Sequence, residues 1–433
     1  MKKYCVIGEK LSHTMSPQIH NEFFKIMNIE ATYDVVEIAM SDIDLPKTKE
    51  LLKQYDGINV TVPYKQNVMK HLDWISEEAL EIGAVNTIKN VDGKLYGYNS
   101  DPYGFEKMLT YNNIEPLNKD CIVLGAGGAA KSLIYYLKKV VKNVKVVSRN
   151  KKNTFNGVEC ITYNELKKEN GYLLVNATPV GMFPKVNDIP VKENIIKNFD
   201  CIVDIIYNPL LTKFLEIGLS LNKKCVSGFY MLVAQAMKSQ SIWQDKEISI
   251  DVINQIFNKI EINRKKTLNS NIYLTGMMGS GKSVIGKRLA KMLNWEYVDL
   301  DNYISYKYKK SIPEMFEKGE QYFRECETEA LLDYASKRRV IVSTGGGTIT
   351  RSINRDIMKL TGIILFRDRK PKDILSTMNY SKRPLIKEGG EKAFYEIYNN
   401  RYELYKNNCD YHLNSIGIDE DLNTIMEWMK YEN

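Results

Sequence analysis

Short apolar runs alternate along the chain with longer stretches in which apolar residues recur every three or four positions. "YCVIG" (4–8), "YDVVEI" (33–38) and "GINVTV" (57–62) have the β-branched, period-two character of strands, and helix-like segments lie between them. "CIVLGAGGAAKSLIYYLKKV" (121–140) joins a strand, a glycine turn and a helix with apolar positions at helical spacing. "VKVVSR" (144–149), "GYLLVNAT" (171–178), "CIVDIIY" (201–207) and "KKCVSG" (223–228) follow as further short strands. Strands separated by helical segments predict an α/β fold with a parallel sheet and crossover helices.

The polar stretch "NKIEINRKKTLNSN" (258–271) interrupts this rhythm. It shows no apolar face and reads as a linker, with the basic run "NRKKT" (263–267) as its solvated part. The rhythm then restarts with "IYLTG" (272–276), a helix, "EYVDLD" (296–301), "VIVSTGGG" (340–347) and "GIILFRD" (362–368). A second α/β unit therefore begins near 271. In "EYVDLD" the strand period of two predicts that Asp299 and Asp301 share one face. The two halves are not repeats, because their glycine signatures and spacings differ.

Composition adds limits. A length of 433 residues predicts two to three domains. No apolar run approaches the roughly 18–20 residues that cross a bilayer, and the apolar part of "MKKYCVIGEK" is too short for a signal peptide. A soluble, cytoplasmic protein is expected. The seven cysteines form no C-x-x-C pair, which argues against a disulfide framework or a zinc site; Cys121 and Cys201, in apolar runs, read as small core residues. Four histidines exclude a histidine-rich metal centre. The net charge of +8 is spread out: residues from 271 onward carry 26 basic and 23 acidic side chains, and the rest carry 35 and 30. Without a basic arm, the excess points to phosphorylated and carboxylate small molecules, not to nucleic acid or membrane.

Two glycine loops supply the first chemistry. In "GAGGAA", Gly125, Gly127 and Ala130 match G-x-G-x-x-[G/A] between a strand and a helix. Gly125 permits the tight turn, Gly127 lets a pyrophosphate approach, and Ala130 lets helix and strand pack closely. The helix N-terminus adds partial positive charge. Where an NAD site would present an acid about 20 residues on, this chain has Ser148, Arg149 and two lysines, Lys151 and Lys152. An arginine there suits a 2′-phosphate and favours NADPH. The second loop, "GMMGSGKS" (276–283), fits G-x-x-x-x-G-K-[ST] at Gly276, Gly281, Lys282 and Ser283. Its N–H groups would wrap nucleotide phosphates, Lys282 would reach the β/γ oxygens, and Ser283 would ligate Mg²⁺.

The order of motifs goes further. "HTMSPQIHN" (13–21), "GINVTVPYK" (57–65), "GAVNT" (83–87), "GYNSD" (97–101), "LGAGGAA", "VNATPVGM" (175–182), "DIIYNPLLT" (204–212) and "GFYMLVAQA" (228–236) together resemble shikimate dehydrogenase across residues 1–262. The resemblance implies NADPH-dependent reduction of a ring ketone, with Lys65 and Asp101 as the catalytic pair. It assigns Thr14, Ser16, Asn59, Thr61, Asn86, Tyr207 and Gln235 to the substrate's hydroxyls and carboxylate. Gly125, Ala126, Gly127, Gly128, Ala129, Ser148, Arg149, Asn150, Thr178 and Met182 fall to NADP, and Asn176 lies near the nicotinamide. Two departures, Thr14 for the usual serine and Ser100 for the usual threonine, bear on preference for shikimate over quinate.

With the P-loop, "DLD" (299–301), "GEQYFRECE" (319–327), "STGGG" (343–347), "RPL" (383–385) and "RYELY" (401–405) resemble shikimate kinase across 271–433. ATP then falls to Gly276, Gly279, Ser280, Gly281, Lys282, Ser283 and Arg383, and Mg²⁺ to Ser283 and Asp299. The acceptor is held by Asp301, Arg324, Gly345, Gly346, Gly347 and Arg401, and Asp301, Lys282 and Arg383 are the catalytic groups. Where the family commonly has an arginine on the adenine side, this chain has Ser376; Lys382 or another basic residue would compensate.

The expected architecture is α/β throughout. Residues 1–103, with returning helices in 230–262, form a substrate domain; 104–229 form a Rossmann-type NADP domain; 263–270 are a linker; and 271–433 are a P-loop kinase domain with a parallel sheet. The expected function is bifunctional, reducing 3-dehydroshikimate to shikimate and then phosphorylating it. Two alternatives are a first half acting on quinate with NAD, and a sensor that binds shikimate and nucleotide without turnover. Arg149 argues against the first, and the intact catalytic groups argue against the second.

Overall fold

The computed structural model describes residues 1–12, 14–150, 154–377 and 389–430. Lys151, Lys152, Lys382 and Arg383 lie outside the described residues. The chain divides into two compact units, 1–218 with 225–260, and 261–433 with 219–224.

The first unit carries two sheets. The first is built from β1 (Lys2–Gly8), β2 (Ala31–Glu37), β3 (Gly57–Val60), β4 (Trp74–Ile75), β5 (Thr87–Val91) and β6 (Lys94–Tyr98), in the order β2-β1-β3-β5-β6-β4. β1 pairs parallel with β2 and β3, but β5 runs antiparallel to both β3 and β6. The expected all-parallel sheet fails here for a local reason. Asp92 and Gly93 have φ of 52° and 80°, the geometry of a two-residue hairpin turn, and Val91 pairs with Lys94 across it.

The second sheet comprises β7 (Asp120–Leu124), β8 (Asn143–Ser148), β9 (Thr154–Phe155), β10 (Val158–Thr162), β11 (Gly171–Asn176), β12 (Phe199–Asp204) and β13 (Lys224–Ser227), in the order β13-β12-β11-β7-β8-β10-β9. It is parallel from β12 through β10, as crossover helices require. Cys121 and Cys201 are buried in its strands as free thiols. The helices Asp101–Tyr111 and Phe229–Gln244 pack closely because Gly104 brings its backbone against Met231 and Gln235.

In the second unit, β14 (Asn271–Thr275), β15 (Glu296–Asp299), β16 (Val340–Ser343), β17 (Gly362–Asp368) and β18 (Tyr411–Asn414) form a parallel sheet in the order β15-β16-β14-β17-β18. Asp299 and Asp301 do not share a strand face. The Asp299 carboxylate accepts from the Asn302 N–H at 3.3 Å and caps a helix, Leu300–Tyr308, so the strand ends at Asp299 and Asp301 lies in the first helical turn.

The stretch read as a linker is also ordered differently. Helix Ile250–Thr267 runs through it, burying Ile253, Ile256 and Ile260 at helical spacing. Its basic run is not solvated: Lys265 is 2% exposed and lies 3.6 Å from Asp410, and Arg264 pairs with Glu261 at 2.8 Å. Paired heads let these residues stay buried where isolated charges could not. Among the described residues, no helix is long and apolar enough to cross a membrane.

Candidate active sites

In the first unit, the turn after β3 carries Lys65, whose carbonyl accepts from the Val85 N–H at 2.7 Å. Lys65 Nζ lies 2.7 Å from Asp101 Oδ2, with the two side chains 16% and 8% exposed. Asp101 opens the helix Asp101–Tyr111, where the helix dipole favours an anion. Its other oxygen accepts from Asn86 Nδ2 at 2.8 Å. The carboxylate is therefore held at both ends, and Lys65 is the member free to turn toward a ligand.

Asn86 Oδ1 accepts from the Ser100 N–H at 2.8 Å, and Gln235 Oε1 accepts from Ser100 Oγ at 3.1 Å. Asn59 Oδ1 accepts from the Tyr33 hydroxyl at 2.7 Å, and its amide donates to Ser239 Oγ at 2.9 Å. Ser16 lies against the same Tyr33 hydroxyl and receives a bond from Thr14 Oγ1 at 3.2 Å. Seven expected residues, Thr14, Ser16, Asn59, Lys65, Asn86, Asp101 and Gln235, are thus joined in one polar network. Thr61 is tied to β1 through its N–H to Ile7, and Tyr207 rests its ring on Phe229 at 6.2 Å.

At the dinucleotide turn, Gly127 caps the helix Gly128–Val140. Gly125 has φ +101°, and a methyl there would lie 2.7 Å from Thr178 Cγ2, so Thr178 sits directly on the turn. Gly127 and Gly128 face open space. Ala126 and Ala129 complete the turn, and Ser148 Oγ, ending β8, accepts from the Asn150 N–H at 3.3 Å beside exposed Arg149. Met182 is 46% exposed beyond the turn that Thr178 begins.

In the second unit, Lys282 Nζ donates to the carbonyls of Gly276 (2.8 Å) and Met277 (3.0 Å), within its own loop. Gly279 and the buried Ser280 lie between them. Ser283 Oγ donates to Asp299 Oδ2 at 2.8 Å. A hydroxyl and a carboxylate meeting at one point suit Mg²⁺, which keeps most of its waters and needs few protein oxygens.

The glycine triad approaches the loop, since a methyl at Gly346 would lie 3.1 Å from the Met278 nitrogen. A methyl at Gly345 would lie 3.0 Å from Asp301 Oδ1 and 2.9 Å from Glu327 Oε1; one at Gly347 would collide with the Arg324 guanidinium. The Gly346 carbonyl accepts from Arg401 Nη1 (3.1 Å) and Tyr405 (2.5 Å). Asp301, Arg324, Gly345–Gly347 and Arg401 therefore converge. Glu327 is fully buried, receives Thr348 Oγ1 at 2.5 Å and holds Arg324 at 3.1 Å; burial pushes its carboxyl up while Arg324 pulls it back.

Family models match twice: the shikimate dehydrogenase substrate binding domain over residues 6–88 and shikimate kinase over 278–430. The "Shikimate dehydrogenase (NADP(+))" of Clostridium beijerinckii is 46% identical over 267 residues, covering 60% of this chain and 98% of that protein. The chain belongs to the shikimate dehydrogenase family. Crystal structures agree. Shikimate Dehydrogenase 1 of Peptoclostridium difficile matches with TM-score 0.56 at 46% identity, covering 60% of this chain and 98% of that one. The shikimate 5-dehydrogenase of Thermus thermophilus, solved with NADP(H) and shikimate, matches at 0.54 and 29%, covering 60% and 99%. A chorismate mutase/shikimate 5-dehydrogenase fusion protein from Clostridium acetobutylicum matches at 0.57 and 40%, covering 60% and 97%.

Within this shikimate dehydrogenase unit, Tyr33 and Ser239 were not expected at the site. Ser239 follows Gln235 by four positions, so one helical face presents both. In the kinase unit, Glu327 was equally legible, three residues after Arg324 on one face. Arg369 carried no signal: only folding brings its Nη1 to the Gly279 carbonyl (3.3 Å) and Thr377 Oγ1 (2.9 Å).

Proposed function

We propose that the chain catalyses consecutive reactions on one small acid: NADPH-dependent reduction of 3-dehydroshikimate to shikimate, then Mg·ATP-dependent phosphorylation of shikimate to shikimate 3-phosphate. The observation that carries this is the largely buried Lys65–Asp101 pair occurring in the same chain as a P-loop and the cluster of Asp301, Arg324 and Arg401 around Gly345–Gly347. We assign the substrate domain to 1–103 with 230–262, the NADP domain to 104–229 and the kinase domain to the residues from 271. All seven cysteines are free thiols, which fits a reducing cytoplasm.

The chemistry supplied by bound NADPH is hydride donation to the ring ketone. Lys65 Nζ gives a proton to the oxygen as its charge develops, and Asp101 holds the ammonium in place. The hydroxyls and amides of Thr14, Ser16, Asn59, Thr61, Asn86, Tyr207 and Gln235 pair with the ring hydroxyls and carboxylate, so an analogue lacking one would leave a buried polar group unsatisfied.

In the kinase unit, Ser283 and Asp299 would hold Mg²⁺, whose chemistry is to offset the negative charge of the phosphate oxygens. Lys282 exchanges loop carbonyls for those oxygens. Asp301 Oδ1 accepts the proton of the attacking hydroxyl, and Arg324 and Arg401 grip the substrate carboxylate, a planar anion matched to a guanidinium. Arg383 is assigned to the transferring phosphoryl group.

The test supplies 3-dehydroshikimate, NADPH and Mg·ATP, and follows NADPH loss and ADP release separately. NADPH loss followed by ADP release is the expected result. Reduction of NAD⁺ by quinate in preference to reaction with NADPH would overturn the first assignment, and absence of ADP release with shikimate would overturn the second.

A further inference from the structure

One buried acid of the first unit has no part in the chemistry above. Asp204 ends β12, in register with Asn176 of β11, and is fully buried. The groups acting on it are neutral hydrogen-bond donors, and burial pushes its carboxyl up to about 7. A carboxylate buried without a cation is costly, so its acceptor geometry is what the fold uses. Oδ1 accepts from Asn176 Nδ2 (3.1 Å) and the Ile206 N–H (3.1 Å), and Oδ2 accepts from Thr212 Oγ1 (2.7 Å).

Those donors belong to two loops, the one leaving β11 and the one leaving β12. Asn176 passes the restraint on. Its Oδ1 accepts from both the N–H (3.0 Å) and Oγ1 (2.6 Å) of Thr178, and its Nδ2 donates to the Val180 carbonyl (3.2 Å). Thr178 in turn sits on Gly125, and Phe183 N–H bonds the Asn208 carbonyl at 3.1 Å, joining the loops further out.

The strand order β12-β11-β7-β8 decides which part of a dinucleotide meets these loops. A pyrophosphate at the turn after β7 has Ser148 and Arg149 on its β8 side, where a 2′-phosphate belongs. The nicotinamide half then lies over the loops after β11 and β12. We infer that Asp204 is a positioning residue for the nicotinamide half of NADPH, acting through Asn176, Thr178 and Thr212. This rests on the dehydrogenase reading of the first unit.

The test compares binding of NADPH with binding of 2′,5′-ADP, which carries the adenosine 2′-phosphate but no nicotinamide, using the full chain and calorimetry. Asp204→Ala and Thr212→Val should each weaken NADPH about tenfold, the scale of a lost hydrogen bond to a charged group. Binding of 2′,5′-ADP and KM for 3-dehydroshikimate should stay within about twofold. Asp204→Asn, whose amide can donate to Thr212 Oγ1 while its oxygen still accepts twice, should recover most of the NADPH affinity. Equal weakening of both ligands would reduce Asp204 to a general structural role, and unchanged NADPH binding in both variants would overturn the inference. Should Asp204→Ala fail to fold, Thr212→Val decides alone. A wild-type chain that binds neither ligand would instead refute the dehydrogenase reading.

Discussion

At the dinucleotide turn, a methyl group added to Gly127 would meet no atom within 4 Å, and the residue's φ of −98° suits any side chain. At the P-loop, Gly281 has φ +86°, and an added methyl would lie 2.6 Å from Arg367 Nη1. That guanidinium is fixed by two bonds to the buried Asp421. The first loop keeps a glycine so that a ligand can come close; the second keeps one so that the loop can exist. The lysines differ in parallel. Lys65 is paired with a carboxylate that remains throughout the reaction, whereas Lys282 is bonded to carbonyls that a phosphate can replace.

The largest test of this contrast removes each lysine in turn. Lys65→Ala should lower NADPH oxidation by roughly 10²–10⁴-fold, the usual reach of a positioned proton donor. Lys282→Ala should lower ADP release with shikimate by roughly 10²–10³-fold, the scale of losing one charge-stabilising group. Each variant should leave the other activity within about twofold, as expected of sites that share no partners. Loss of both activities in either variant would show that the two sites are not separate.

The glycines come next. Gly281→Ala should destabilise the kinase unit by about 1–2 kcal/mol from backbone strain alone, with displacement of Arg367 adding to it. Gly127→Ala should leave stability unchanged or raise it by about 0.4–1 kcal/mol, since a compatible backbone gains from the stiffer unfolded chain. It should nevertheless weaken NADPH binding. Denaturant unfolding read beside NADPH titration separates the two, and a Gly127→Ala chain that unfolds more easily would break the comparison.

The units should also differ in acid. His20 is fully buried, stacked on Tyr33 at a centroid distance of 4.2 Å and bonded to Gln240 at 2.8 Å. Burial lowers its pKa to about 3. Because the folded value lies below the unfolded one, the unfolded chain takes up the proton first, and stability falls as pH drops from 6.5 toward 3. At pH 5 the loss is about 2 kcal/mol. Asp204 in the same unit, held up at about 7, takes up its proton first in the folded chain and so opposes this loss over the same range. The His20 contribution is therefore read as a difference: between pH 7 and pH 5, His20→Gln should lose about 2 kcal/mol less stability in urea unfolding than the wild type.

The legible parts of the molecule are those in which chemistry or periodicity is written locally. The strand–turn–helix at 121–140 and the P-loop carry their function in adjacent residues, so each was visible as a string. Three features were misread because a local signal was outweighed by another. The Asp92–Gly93 turn reversed a strand inside an otherwise parallel rhythm. Asp299 stops its strand by capping the next helix, which no period-two count reveals. The stretch 258–271 has the composition of a solvated linker, yet Lys265 finds Asp410 nearly 150 positions later. Long-range pairing of this kind leaves no trace in sequence spacing.

Arg369 extends the comparison to the cations around the two nucleotides, with the smallest expected effect. Of the arginines beside the P-loop, Arg367 is spent on Asp421, and its glycine-facing edge shapes the loop. Arg369 makes no ion pair among the described residues; one nitrogen reaches the Gly279 carbonyl and Thr377 Oγ1 and leaves charge uncompensated at the loop's shoulder. Ser376, at the position where the kinase family commonly has arginine, is exposed, its Oγ donating to the Asp373 carbonyl of its own helix at 3.0 Å. Arg369→Ala should therefore raise KM for ATP about fivefold, near 1 kcal/mol, with KM for shikimate unchanged. Adding Ser376→Arg to that variant should restore ATP affinity if a guanidinium on this side is what the nucleotide needs. Restoration would place the two nucleotide sites on the same footing, each relying on an arginine beside a glycine loop: Arg149 for the dinucleotide and Arg369 for ATP. If KM for ATP does not move in Arg369→Ala, the arginine serves only to brace Gly279, and the nucleotide needs no guanidinium on this side of the P-loop.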